Sequence, residues 1–245
     1  MKIKKRLKIA VIIIAAAFLV LAANWLFSSY KPTEEAVQVF NNSNVEVSKD
    51  RFITYKPKDK IPDTALIFYP GGKVEPEAYA PLCSKIAAQG YMVVIAPMPL
   101  NLAVLSPNKA EEVIKTYPNI KNWAISGHSL GGVMAASFAK KHPEEVKALA
   151  FFASYPQDKD DLSLSKLKVL SLWGSEDGLA DITKIKGAEK LLPDSSVFKE
   201  IPGGNHAQFG SYGFQKGDKE AKIPAIDQQS LTVQYTANLL SEISK

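Results

Sequence analysis

The chain runs to 245 residues, 46% of them hydrophobic, with 30 Lys and Arg against 25 Asp and Glu. Five of the basic residues (Lys2, Lys4, Lys5, Arg6 and Lys8) precede Ile9, so the remainder carries 25 of each sign; with no basic stripe interleaved with aromatics, a nucleic-acid partner is excluded. The single cysteine, Cys83, excludes an intrachain disulfide, no Cys/His cluster has metal-ligand spacing and no glycine-rich run resembles a phosphate loop, so neither metal nor cofactor is expected.

After the basic flank, residues 1–8, residues 9–23 lack any charged or strongly polar side chain, and past Asn24 the apolar run resumes as Trp25-Leu26-Phe27. At ~1.5 Å per residue, a helix over 9–27 spans roughly the ~30 Å hydrocarbon core of a bilayer. The run has no amphipathic period, unlike a core helix, and predicts a transmembrane signal-anchor. Leu21-Ala22-Ala23 is a poor small-x-small cleavage site, which favours retention over the alternative, a cleaved signal and a secreted protein. The basic flank stays cytoplasmic, which puts the remainder on the extracytoplasmic side of the cell membrane. Polar residues and a proline from Ser28 to Glu35 predict a tether, counted over 28–44, ahead of one domain over 45–245.

Short strand patterns at 45–47 and 52–55 predict an antiparallel start. Strands and helices then alternate. Strands are expected at 65–69, 91–96, 122–126, 146–153, 168–173 and 196–201; helices are expected over 76–89, 108–117, 130–141 and 182–192. This alternation predicts an α/β fold with a mainly parallel central sheet and helices on both faces. Only residues 154–166 separate two of those strands, too few for an inserted domain, so no cap is expected and the site should be open. Apolar Met98, Leu100, Leu102 and Leu105 supply either a pocket wall or ordinary packing.

The chemistry centres on Gly127-His128-Ser129-Leu130-Gly131-Gly132, which an apolar strand enters and a helix leaves. A serine hydroxyl is a weak nucleophile, and a tight strand-to-helix turn exposes it to a base on one side and substrate on the other. The serine needs an acid and then a histidine later in the chain. Strand 168–173 ends in Gly174-Ser175-Glu176-Asp177-Gly178, which makes Asp177 the acid, with Glu176 its neighbouring competitor. Gly203-Gly204-Asn205-His206 supplies His206 as base; His142 is explained by a helix terminus, and His128 by packing or pocket lining. Developing oxyanion charge calls for backbone donors. One is Leu130 N–H; the other comes from Pro70-Gly71-Gly72-Lys73, with Gly72 first and Lys73 second. Tyr69, His128, Phe209 and Tyr212 are candidate pocket residues, although Phe209, Tyr212 and Phe214 equally fit fastening a long loop to the body.

Tyr-Pro-Gly-Gly at 69–72, Gly-His-Ser-Leu-Gly-Gly at 127–132, Gly-Ser-Glu-Asp-Gly at 174–178 and Gly-Gly-Asn-His-Ala-Gln-Phe-Gly at 203–210 together resemble the α/β-hydrolase superfamily. The likeness is to the compact bacterial group related to dienelactone hydrolases and small esterases. Dienelactone hydrolases typically carry cysteine at the elbow, whereas Ser129 stands there in this chain and Cys83 falls in a helix pattern. The resemblance implies the α/β-hydrolase fold and a serine hydrolase acting on a small or medium carboxylic ester through an acyl-enzyme. An acyltransferase or amidase using the same triad is the alternative, and a non-catalytic binding protein on the same fold is another.

Overall fold

The computed structural model describes residues 2–39 and 45–244, without the side chains of 2–7, 9, 10 and 22. Its strands are β1 (Val45–Lys49), β2 (Ile53–Pro57), β3 (Thr64–Tyr69), β4 (Met92–Ile95), β5 (Asn122–His128), β6 (Ala148–Phe152), β7 (Lys168–Gly174) and β8 (Val197–Ile201). The helices are α1 (Lys2–Phe27), α2 (Glu34–Gln38), α3 (Ala80–Ala87), α4 (Lys109–Thr116), α5 (Leu130–Lys141), α6 (Ile182–Gly187) and α7 (Ala225–Ile243). One sheet holds the eight strands in the order β1-β2-β4-β3-β5-β6-β7-β8. β1 and β2 pair antiparallel and β2 meets β4 antiparallel, while every later pairing is parallel.

Strands covered on both faces read as continuous apolar runs, and all six residues of β3 are buried. Their side chains still alternate. Leu66 and Phe68 join Leu82 and Ile86 of α3 and Leu239 and Leu240 of α7 on one face. Ala65, Ile67 and Tyr69 join Val113 of α4 and Phe138 of α5 on the other. Cys83 is part of the first layer, and burial pushes its thiol pKa well up, as befits a small hydrophobe. The register pairs Tyr69 with Gly127, His128 with Phe152, Phe152 with Leu172 and Gly174 with Ile201. The carboxyl ends of five strands therefore lie along one edge, where open α/β sheets bind ligands. Residues 153–167, between β6 and β7, hold a single 3-10 turn, Asp158–Asp160, and no cap among the described residues.

Some elements differ from expectation. The helix expected over 76–89 divides into a 3-10 turn, Pro76–Tyr79, and α3, which begins with Pro81 in its first turn, where no intrahelical N–H is missed. The helix expected over 182–192 likewise stops at Gly187 and continues as a 3-10 turn, Ala188–Leu191. α7 was not expected, because its buried face carries Gln228, Gln229, Thr232 and Thr236 and so lacks an apolar period. Thr232 Oγ1 and Thr236 Oγ1 each donate to the carbonyl one turn back, at 2.8 and 2.7 Å.

The expected tether is a structured part of the domain as far as it is described; residues 40–44 lie outside the described residues. Tyr30 N–H donates to Lys73 O at 2.7 Å, and Tyr30 O accepts from Glu75 N–H at 3.0 Å. Thr33 N–H reaches Ser211 O at 2.8 Å, and Thr33 Oγ1 caps α2 by accepting from Ala36 N–H. Ahead of this strap, α1 leaves Val11 to Ile14, Phe18 to Leu21, Trp25 and Phe27 more than half exposed. Among the described residues no helix is long and apolar enough to cross a membrane. The described residues thus do not show the transmembrane helix expected over 9–27.

Leu240 ties α7 to the sheet without any solvent contact. Leu240→Ala is expected to lower the unfolding free energy by about 2–5 kcal/mol, read as a fall in the urea midpoint at unchanged slope.

Candidate active site

β5 delivers Ser129 to the carboxyl edge, and α5 leaves at once. Ser129 has φ 50° and ψ −122°, a left-handed conformation unfavourable for a residue with a side chain. The turn is held by its own backbone. Ser129 N–H donates to Phe152 O at 2.9 Å, while Ser129 O accepts from Gly132 N–H at 3.0 Å and Ser154 Oγ at 2.7 Å. Its glycines are forced by close approach: a Cβ on Gly127 would lie 2.3 Å from Gly131 C, and one on Gly131 would lie 2.2 Å from Tyr69 O.

The loops after β7 and β8 bring Asp177 to His206. His206 Nδ1 donates to Asp177 Oδ2 at 2.9 Å, with both side chains buried. Asp177 Oδ1 accepts Leu179 N–H at 2.8 Å and Ala180 N–H at 2.7 Å, which satisfies the buried carboxylate. With the proton on Nδ1, Nε2 is left as an acceptor, the form a general base needs. Glu176 does not share this site. Its carboxylate pairs with Lys222 Nζ at 2.7 Å, and that hydrogen bond holds its pKa below the usual range. Among the described residues no hydrogen bond joins Ser129 Oγ to His206, and such contacts commonly tighten only when substrate binds.

The loop after β3 lies against the elbow. A Cβ on Gly72 would meet Leu130 Cβ at 3.5 Å, and neither Gly72 N–H nor Leu130 N–H has a partner among the described residues. Lys73 is differently employed. Its N–H donates to Asn101 O at 2.7 Å, its Nζ reaches Leu26 O and lies 5.2 Å from the centre of the Trp25 ring, so it offers no free backbone donor.

Of the two readings left open for the candidate pocket residues, the described contacts are those of packing and fastening. Tyr69, His128, Phe209 and Tyr212 are all buried. Tyr69 Oη accepts from Ala110 N–H and donates to Pro107 O; Phe209 stacks on Phe152 at 5.7 Å; Tyr212 Oη donates to Gln215 Oε1. Exposed apolar surface is contributed by Val104 and Leu105, each about half exposed, in the 3-10 turn Ala103–Leu105 that follows Leu102, whose Cδ2 would lie 3.9 Å from a Cβ on Gly72.

His128 joins a chain the sequence does not reveal. Gly71 N–H donates to Tyr79 Oη at 3.0 Å, Tyr79 Oη donates to His128 Nδ1 at 2.8 Å, and His128 Nε2 donates to His206 O at 3.1 Å. Because a carbonyl can only accept, the proton sits on Nε2. Burial, then the neighbouring His206, hold the His128 pKa well below 6.5, so the ring is neutral and the relay keeps its direction. Gln228 was also missed: its amide grips Asn205 N–H and Asn205 O at 2.9 and 2.8 Å, fixing the residue before His206.

Residues 65–230 match the model of the alpha/beta hydrolase family. The chain belongs to that family. No curated protein matches its sequence. Among solved structures this hydrolase is similar to a predicted CIB-like hydrolase from Thermoplasma acidophilum, at 16% identity and TM-score 0.57, over 79% of this chain and 99% of that one. It is also similar to Est1E from Butyrivibrio proteoclasticus with bound ferulic acid, at 12% identity and TM-score 0.60, over 80% and 98% of the two chains. A third is the esterase domain of a Rhodothermus marinus protein, at 13% identity and TM-score 0.56, over 76% and 92%. At these identities the likeness is one of fold.

The neutral His128 gives this hydrolase a pH dependence. Its folded pKa lies below the unfolded value of 6.5, so below pH 6.5 the unfolded chain binds a proton that the folded one refuses. The native protein is expected to lose about 1.4 kcal/mol per pH unit through this residue as pH falls below 6.5. Denaturant unfolding at pH 5 and 7 is expected to show a smaller difference for His128→Gln than for the native chain.

Proposed function

We propose that this alpha/beta hydrolase cleaves small or medium carboxylic esters through an acyl-enzyme. Ser129 Oγ attacks the carbonyl carbon and passes its proton to His206 Nε2. Asp177 orients the imidazole and stabilises its charged form. Gly72 N–H and Leu130 N–H receive the negative charge on the carbonyl oxygen, each donor lowering the barrier by about 3–4 kcal/mol. The tetrahedral adduct collapses as His206 returns the proton to the leaving alcohol; water, activated by the same histidine, then releases the acid and regenerates Ser129. The observation that carries the reading is the buried Asp177–His206 hydrogen bond of 2.9 Å beside a strained serine elbow. The fold neighbour that is the esterase domain of a Rhodothermus marinus protein points the same way.

The second part of the reading places the protein at the membrane. Support comes from the five basic residues before Ile9 and the apolar run over 9–27, with its described large side chains exposed rather than packed on the domain. The run acts as a single-pass anchor and the hydrolase domain lies on the extracytoplasmic side. Recovery of the intact chain in washed membranes is the expected result; a mature protein beginning near Asn24 or beyond identifies a secreted form instead.

The full chain is expected to react with a fluorophosphonate at Ser129 alone, with Ser129→Ala unlabelled and inactive on every ester tested. Asp177→Asn is expected to lower kcat by about 10³–10⁴-fold, whereas Glu176→Gln leaves it nearly unchanged. Equal losses for the two variants reject Asp177 as the acid.

A further inference from the structure

Asp218 lies in the loop between β8 and α7 and is 8% exposed, although no charged side chain meets its carboxylate at hydrogen-bond distance among the described residues. Its oxygens serve different loops. Oδ1 accepts Gly178 N–H and Lys219 N–H, and Oδ2 accepts Ala207 N–H, each at 2.9 Å. Gly178 follows Asp177, and Ala207 follows His206. One carboxylate therefore grips the residue after the acid and the residue after the base.

The surroundings reinforce that grip. A Cβ on Gly178 would lie 2.8 Å from both Gly217 O and Lys219 N, so the acid loop lies directly against the segment carrying Asp218. Asn205 Nδ2 donates to Lys219 O at 2.8 Å, which ties the histidine loop to the same segment from its other end. We infer that Asp218 is a positioning residue: it fixes the separation of the Asp177 and His206 loops and thereby the 2.9 Å hydrogen bond between them. This inference rests on the triad reading. The chemistry explains the residue type, because three N–H donors on two oxygens need a side chain that only accepts. Asparagine has the same shape, but whichever loop its carbonyl serves, its amide hydrogens confront an N–H of the other.

The test uses the full chain, an ester on which it is active, and a fluorophosphonate. Asp218→Asn is expected to stay folded, with kcat down by about 10–100-fold and KM within about threefold, since a misplacement of about 1 Å costs about 10²-fold. The low-field proton resonance of His206 Nδ1–H is expected to shift or broaden in parallel, which a role in general stability would not produce. Native kcat and an unmoved resonance in Asp218→Asn overturn the inference, as does a raised KM at native kcat. Should Asp218→Asn fail to fold, Asp218→Glu takes its place. Its oxygens are displaced by one methylene, so a lower kcat at unchanged KM is expected and a native kcat overturns the inference. Failure of the native chain to label at Ser129 removes the triad reading and this inference together. Labelling of Asp218→Asn at the native rate removes this inference alone.

Discussion

The carbonyl oxygens of Tyr69 and Pro70 fill the space that a side chain on residue 131 would need, and the carboxyl edge of the sheet is organised around that crowding. Glycine at 131 lets the end of β3 touch the first turn of α5, and this contact sets Gly72 beside Leu130. Two residues earlier Ser129 sits at positive φ, a strain of about 1–3 kcal/mol. Hydrogen bonds from Ser129 N–H to Phe152 O and from Ser154 Oγ to Ser129 O offset it, so β6 and the loop beyond it brace the turn. The parallel register supplies the level platform, because β3, β5 and β6 end side by side.

Asp177 and Asp218 are buried, and among the described residues neither is paired to a lysine or arginine within hydrogen-bond distance. Such groups are costly unless fully hydrogen-bonded. Asp177 meets the requirement with two backbone N–H groups and an imidazole, and Asp218 with three backbone N–H groups. The difference matters chemically. In the proposed reaction Asp177 faces a ring that changes charge, whereas the hydrogen bonds of Asp218 come from fixed backbone dipoles. Neutral His128 links the His206 carbonyl through Tyr79 to Gly71, so the loops after β3 and β8 are bonded through two buried side chains.

Much of this was legible in the chain because it is written locally. The strand patterns, the helix over 130–141 and the glycines at 127 and 131 report contacts between near neighbours in sequence or between adjacent strands. The pairing of Asp177 rather than Glu176 with His206 was also approachable, since loop order narrowed it to two residues. What escaped depends on distant partners. Tyr79, Asp218 and Gln228 carry no motif, and their roles exist only once Gly71, Gly178, Ala207 and Asn205 are folded against them. Tyr69, Phe209 and Tyr212 were expected to line a pocket because aromatics near a catalytic loop suit either lining or support, and only burial separates the two. Lys73 failed as a donor for a related reason: its N–H is taken by the carbonyl of Asn101, distant in sequence but adjacent in the fold.

The segment from Tyr30 to Thr33 adds a margin to the site, since it bonds to Lys73 and Glu75 beyond the loop after β3 and to Ser211 beyond His206. Its aromatic ring touches Tyr212, 5.6 Å away between ring centres. A protease cutting just before Lys31 would thus remove more than the leading helix. It would strip a strut from the loop that carries Gly72 and loosen the carboxyl edge of the sheet, so a truncated form that keeps this edge intact has to begin at or before Tyr30.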